Sequence, residues 1–529
     1  MKITSCHPPV ILGLSYLRVF DVGIRRNAIK NSDNLKITDM KKIINIKLVF
    51  VAVTILFLSG GCTKDFTSIN VNPNSATVVP ATNLFARGIL SSAGTLFGER
   101  LAIYYTGSYA GQTAAIGLGD YEYRVDINNS MWRGMYIAMT YLLDAANIAK
   151  TEGNTNLYAA ALTLKAYDGQ KTTDMWGDVP YTEAFHLDSS VLYPKYDDQA
   201  TVYKALLAEL KEAADIFKAG TGNIGVGDLI FNGDVEKWRK FCNSLRLRVA
   251  IRMSLVDAAT ATSVISEILG DPNSYPVMTE NDDNAYLWFP GVSPDTEYWY
   301  NRLGTNGAYT DQYRMNDVLI SALKDNDDPR LPVYARLNNN GGYNGYEFGP
   351  TQLSNPANNG NNVSGIGERF ANNPAGFSPF MNCSEVSFIK AEVYERGLVS
   401  GDAQAAYEDG IRLSCAENGI DAGAIAALLA QPEVSWDGGT TTNLEKIYLQ
   451  KWISLFKQEE EAWSEARRTD VPLMTNIAKD YSSTHNRPPF RLAYADEEKT
   501  LNTNFPTDVV EKDIFWGTQV WWDTRTGVH

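Results

Sequence analysis

Residues 155–185 read TNLYAAALTLKAYDGQKTTDMWGDVPYTEAF, one full amphipathic helix running into a rigid turn. Asn156 is a good N-cap residue, and Leu157, Ala160, Ala161, Leu164, Asp168 and Met175 recur on one face that is polar only at Asp168. The helix should stop at Trp176, because Gly177 supplies a left-handed C-terminal position and Pro180 cannot continue the ladder. Trp176 and Tyr181 read as inward-packing rings. Asp174, Asp178 and Glu183 read as architecture, not as acid–base groups.

The same period recurs on both sides of this stretch. Expected helices run over 83–106, over 128–150 with Trp132, Tyr136, Met139 and Leu143 on one face, over 200–218 with Leu206, Leu210 and Phe217, and over 234–257 with Trp238, Phe241 and Leu245. Long helices with no strands between them predict antiparallel pairs and an all-α fold. Between Ser384 and Gly419 the residues Ala391, Tyr394, Ala403, Tyr407 and Gly410 fit the small-and-aromatic spacing of a tetratricopeptide unit. From Thr442 to Met474 one helix is expected, with Trp452, Ile453, Phe456 and Trp463 on its apolar side. Its Glu459–Glu461 run, with Glu465, Arg467 and Arg468, reads as a solvated face. Arg239, Arg246, Arg248 and Arg252 read as stems snorkelling over core and paired to acids.

The N-terminus reads as an export signal. Met40-Lys41-Lys42 opens a basic region, and the apolar run Leu48–Leu58 is too short to span a bilayer but fits a signal peptide. Ser59-Gly60-Gly61 then leads to Cys62, the expected site of acylation. Residues 1–39 read as a leader ahead of the true start at Met40, 40–61 as the signal peptide and 62–82 as a lipidated tether. Residues 1–61 carry nine Lys or Arg and three Asp or Glu, so the remainder holds 38 basic and 59 acidic residues, a formal charge of −21. That balance argues against nucleic acid, whose phosphates need a basic footprint. Cys242, Cys383 and Cys415 allow at most one disulfide, and the isolated His186, His485 and His529 offer no metal cluster and no base for a nucleophile. No cofactor, metal site or catalytic residue is expected.

Between Gly270 and Phe380 the texture changes to Asn, Gly, Pro and aromatics, with one short helix expected near Tyr313–Lys324. Loops of this length are functional or disordered, and the aromatic residues from Tyr286 to Phe348 argue against disorder. Rings beside Asn and Asp have the composition of a sugar platform, where rings stack on apolar sugar faces and amides or carboxylates take hydroxyls. Trp288, Trp299, Tyr300, Tyr343 and Tyr346 are the candidate ligand-binding residues. The competing reading is a loop pinned to the helices by its own aromatics.

The turn Asp174, Trp176-Gly177-Asp178-Val179-Pro180-Tyr181, Glu183-Ala184 resembles the signature of the SusD/RagB outer-membrane lipoproteins, in their SusD-like branch. The stretches QKW at 450–452, EEAW at 460–463 and ARRTDVP at 466–472 are similar to that pattern too, as are Arg491, Tyr494, Glu498 and Asn502, with Ala495 where the family prefers proline. Ser59-Gly60-Gly61-Cys62 resembles a lipobox, with Leu58 one place early, and Thr63-Lys64-Asp65 resembles a surface-export tag. The resemblance implies a superhelical scaffold of degenerate tetratricopeptide pairs, divided here as 83–270 and 381–529 around a loop-rich binding region at 271–380. It implies a non-catalytic lipoprotein of the outer membrane that captures oligosaccharides, or peptides as in RagB-type members, and passes them to a SusC-like TonB-dependent transporter. A secreted all-α glycoside hydrolase or lyase is the alternative, since any two of 59 acids can flank a cleft. A periplasmic tetratricopeptide adaptor is a third.

Overall fold

A computed structural model of the chain describes residues 79–116, 121–185, 191–304, 312–506 and 515–529. At its centre, Thr155–Trp176 forms the expected helix and ends where expected: Gly177 has φ +85°, and its N–H donates to Thr173 O at 2.7 Å. The cap is Asn154, whose side chain accepts from Leu157 N–H, while Asn156 donates to Gly222 O and ties down a neighbouring loop. Every side chain from Asn156 to Trp176 is buried, so the helix has no solvent face.

It is enclosed because helices pack on it from several sides. Ala81–Leu96 pairs with Val125–Thr151, which pairs with the central helix; Gln199–Phe217 follows, then Val235–Met253 and Ala258–Gly270. Asp198, Asp234 and Asp257 cap the last three helices through their carboxylates. The expected tetratricopeptide unit is Cys383–Glu395 packed on Ala403–Glu417, with Phe388, Tyr407 and Ile411 in a small core of their own. Gly410 lies against the Phe388 ring, where a Cβ would sit 2.7 Å away. The protein is helix-rich, and among the described residues its strands are two short antiparallel pairs. Thr113–Ala115 pairs with Tyr313–Met315, and Ala285–Trp288 with Phe377–Met381. The short helix expected near Tyr313–Lys324 is therefore only partly formed: Tyr313–Met315 is a strand, and the helix is Asp317–Lys324.

Two readings of the sequence are corrected. The stretch after Thr442 is not one helix but two, Asn443–Ser454 and Glu459–Thr469, broken where Lys457 takes φ +75°. Nor is Glu459–Glu461 a solvated face, since all three are fully enclosed. Successive helical residues turn by about 100°, so three in a row cannot share one face, and each meets a different wall of the protein. Lys171 of the central helix donates to Glu461 at 2.6 Å, and Arg252 pairs with the same carboxylate. Arg248 grips Glu385 with two hydrogen bonds of 2.7 and 2.6 Å, and Arg468 grips Glu392 at 2.7 and 2.6 Å. Arg248 and Arg252 are thus paired to acids as read, but inside the core and not snorkelling over it. Burial works against a charged Glu461, yet Arg252, Lys171 and Arg248 hold it well below the usual carboxylate range. Burial and the adjacent Glu460 push Glu459 well above it.

The signature turn is part of this interior. Asp174 accepts from Tyr203 at 2.5 Å, Trp522 at 2.9 Å and Gln170 at 3.1 Å, while Arg252 reaches it at 3.3 Å. Trp176 donates to Ala493 O and Tyr494 to Asp178 O, which fastens residues 493–494 to the turn. Cys242, Cys383 and Cys415 are buried free thiols. No helix among the described residues is long and apolar enough to cross a membrane. Cys62, the signal peptide and His186 lie outside the described residues.

Candidate functional site

The Ala285–Trp288 strand is held by its pairing with Phe377–Met381, in a register that sets Trp288 opposite Phe377. Side chains two apart on a strand share a face, so Tyr286 and Trp288 both flank the Phe377 ring. Tyr286 stacks on it at 4.7 Å with planes 10° apart, and the Trp288 ring lies 4.9 Å away at 45°. Tyr286 is buried, whereas Trp288, at the end of the pair, is 55 % exposed. A large ring supported from behind and open in front is a preformed stacking surface.

Trp288 lines a cavity of about 450 Å³, within the size range of small-ligand sites. Polar groups ring it. Asn281 donates to Leu413 O at 3.0 Å, fastening this loop to the Ala403–Glu417 helix. Tyr286 O–H donates to Glu417 at 2.9 Å, and Asn284 donates to the same carboxylate at 3.3 Å. Glu417 keeps part of its surface open, but burial pushes it up to about 7 against the Tyr286 hydroxyl, Arg369 and Asn284. Lys237 and Asp282 pair across the rim at 2.7 Å, and the Arg369 guanidinium lies 5.2 Å from the Phe377 ring centre. The arrangement offers one apolar platform and a surround of donors and acceptors, the chemistry that a sugar's two-sided surface requires. Among the described residues, no group of three His, Cys, Asp or Glu is placed to hold a metal ion.

Of the five rings read from the sequence, Trp288 alone lines this cavity. Trp299 is fully buried, donates to Phe97 O at 3.1 Å and meets the Phe456 ring edge-on, so it fastens its loop to the scaffold. Tyr346 is also core, packed edge-on against Phe348. Neither ring is reachable, which corrects the reading of both as ligand contacts. Tyr300 is half-buried at the start of a short helix, its N–H bound by Glu297, and Tyr343 is half-buried with its carbonyl held by Lys324. The polar half of the cavity was missed: Asn281 and Asn284 were legible as amides beside rings, but Glu417 stands more than 120 residues from Trp288.

Against known proteins, the model of a SusD-like family described as starch-binding and associating with the outer membrane matches residues 73–495. A chitin-binding SusD homolog from Flavobacterium johnsoniae is 25% identical, with a TM-score of 0.71 over 84% of this chain and 99% of its own. SusD homologs from Bacteroides uniformis (22% identical, TM-score 0.72, 84% of this chain and 99% of that one) and Bacteroides fragilis (23%, 0.69, 85% and 100%) share the fold. No curated protein matches the chain.

Proposed function

The chain belongs to the SusD-like family of outer-membrane-associated glycan-binding proteins, and we propose that it captures oligosaccharide at the Trp288 cavity and hands it to a SusC-like TonB-dependent transporter. It is a binding protein and not an enzyme, as its family is. The observation that carries the site is Trp288 itself, the indole that remains 55 % exposed while packed at a tilt against Phe377 beside a polar cavity. An indole held from behind by Phe377 and open to solvent beside hydrogen-bonding groups is preorganised for a stacking partner. The relatives described as starch- and chitin-binding support neutral polysaccharide fragments as the ligand class.

Titration of malto- and chito-oligosaccharides into Trp288→Ala tests the assignment. Removing a stacking ring should weaken binding by on the order of 1 kcal/mol or more and leave melting nearly unchanged. Normal binding by the variant to whichever sugar the parent takes would place the site elsewhere. If peptides bind the parent instead of either sugar, the ligand class is wrong.

Attachment is proposed to run through Cys62, acylated after removal of residues 40–61, with the folded body on the extracellular side. Cys62→Ala should move the protein out of the membrane fraction. Retention of that variant would mean that the Leu48–Leu58 segment itself is the anchor.

A further inference from the structure

Lys237 and Asp282 satisfy one another at the rim of the Trp288 cavity, but two other charged groups that line it, Arg369 and Glu417, do not pair. Arg369 sits half-buried in the short helix Glu368–Ala371. Its guanidinium carbon lies 5.2 Å from the centre of the Phe377 ring and 5.7 Å from that of Phe370, so two rings support it. Among the described residues it makes no hydrogen bond and no ion pair, and its Nε is enclosed without an acceptor. A guanidinium is a fork of five N–H donors, and a donor shut away from water with no acceptor costs free energy that a ligand oxygen would restore.

Glu417 is the complementary group. Tyr286 O–H reaches both of its oxygens, at 2.9 and 3.0 Å, and Asn284 donates to one of them at 3.3 Å. A carboxylate has about four lone-pair sites, so these two donors leave room for a ligand N–H. Arg369 favours the charged form of Glu417 without bonding to it, and the two stand as a separate donor and acceptor on one cavity. The same cavity has an apolar corner, made by Ile230 and Phe231. Asp228 fixes that corner, because its carboxylate accepts from the N–H of each at 3.0 Å, and the Phe231 ring meets Trp238 edge-on at 5.3 Å.

A ligand group that answers all three features must accept from a guanidinium, donate to a carboxylate and end in a small apolar cap. A secondary acetamide does this in one plane, with its C=O, its N–H and its methyl group. A hydroxyl leaves the apolar corner unfilled, and a ligand carboxylate or sulfate brings no donor to Glu417 and meets it as a like charge. We propose that the Trp288 cavity selects N-acetylated amino sugars: Arg369 donates to the acetamido oxygen, Glu417 accepts from the acetamido N–H, and the methyl group rests against Ile230 and Phe231. This assignment rests on the glycan-binding reading above, in which Trp288 stacks the sugar ring; Arg369 and Glu417 then decide which ring is taken.

The test titrates the full-length lipoprotein in detergent with chitotriose and with cellotriose, which has the same linkage and a hydroxyl in place of each acetamido group. Chitotriose should bind at least about tenfold more tightly, the worth of one or two hydrogen bonds to charged groups. Arg369→Gln and Glu417→Gln should each remove most of that preference, with cellotriose affinity and melting nearly unchanged. Arg369→Lys keeps the charge but not the fork, so it should lose part of the preference, and it carries the test if Arg369→Gln melts early. Equal or tighter binding of cellotriose, or a chitotriose preference that survives these substitutions, would overturn the inference. Equal binding of both sugars that is lost in Trp288→Ala would overturn it while leaving the Trp288 reading standing. A chitotriose preference that depends on Arg369 but persists at full affinity in Trp288→Ala would do the reverse, and a parent that binds neither sugar would overturn both.

Discussion

Asp168 shows how a single residue carries both the logic and the cost of this interior. It was legible as the one polar position on the buried face of the central helix, and it sits fully buried with Ser92 donating to its carboxylate. Burial pushes the carboxyl up to about 8, against Ser92 and Lys171, from an ordinary value of 3.8. Because the folded value stands above the unfolded one, the native state holds the extra proton: this contribution to stability is complete below about pH 4 and is lost as pH rises through about 8. Glu465 works the other way. Burial opposes its charge, but Arg468 and Lys451 hold it down to about 2, so its contribution is present above about pH 4.5 and is lost as pH falls toward 2. Asp168→Asn removes the first dependence and keeps the shape. Thermal melting from pH 6 to 9 should decline less steeply in this variant than in the parent, with the gap widening in the variant's favour. Parallel curves would mean that Asp168 is not protonated in the folded protein.

At the scale of elements, the helices were legible because their apolar residues return every three or four positions, which is why Gln199–Phe217 and Val235–Met253 lie within a few residues of expectation. The break at Lys457 was not, since a single residue at φ +75° leaves the period almost undisturbed on either side. The strand pairs were invisible for another reason: three to five residues give too little alternation to read, and their partners lie on the order of 90–200 positions away in sequence. The buried charges were misread because a Glu run looks the same whether it meets water or Lys171 and Arg252. Loop rings share this ambiguity, and Trp299 and Trp288 can be told apart only by what packs on them. That difference is measurable. Trp299→Ala should remove about 3–5 kcal/mol of stability, as truncation of a core aromatic does, and leave sugar affinity unchanged in the fraction that stays folded. A Trp299→Ala variant that melts normally but binds poorly would reverse the roles assigned to the two rings.

At the scale of the molecule, the architecture divides labour between a helical body and a clipped-on aromatic region. The central helix and the signature turn spend polar groups on the elements packed around them, as Asp174 does on Tyr203, Trp522 and Arg252. On the proposed reading, recognition falls to the segment fastened by short strands and by Trp299, where a ring can stay open without exposing a helix face. Its composition pointed to sugar, but the partners that complete the cavity, Glu417 above all, come from the far helical repeat and no spacing rule connects them. The claim that joins these scales is that oligosaccharide stacks on Trp288. A crystal structure of the protein with its tightest-binding oligosaccharide tests it directly. The account predicts a sugar ring lying face-on over the exposed side of the Trp288 indole, within hydrogen-bonding reach of Asn281, Asn284 or Glu417; a ligand seated elsewhere, with the Trp288 cavity empty, would contradict it.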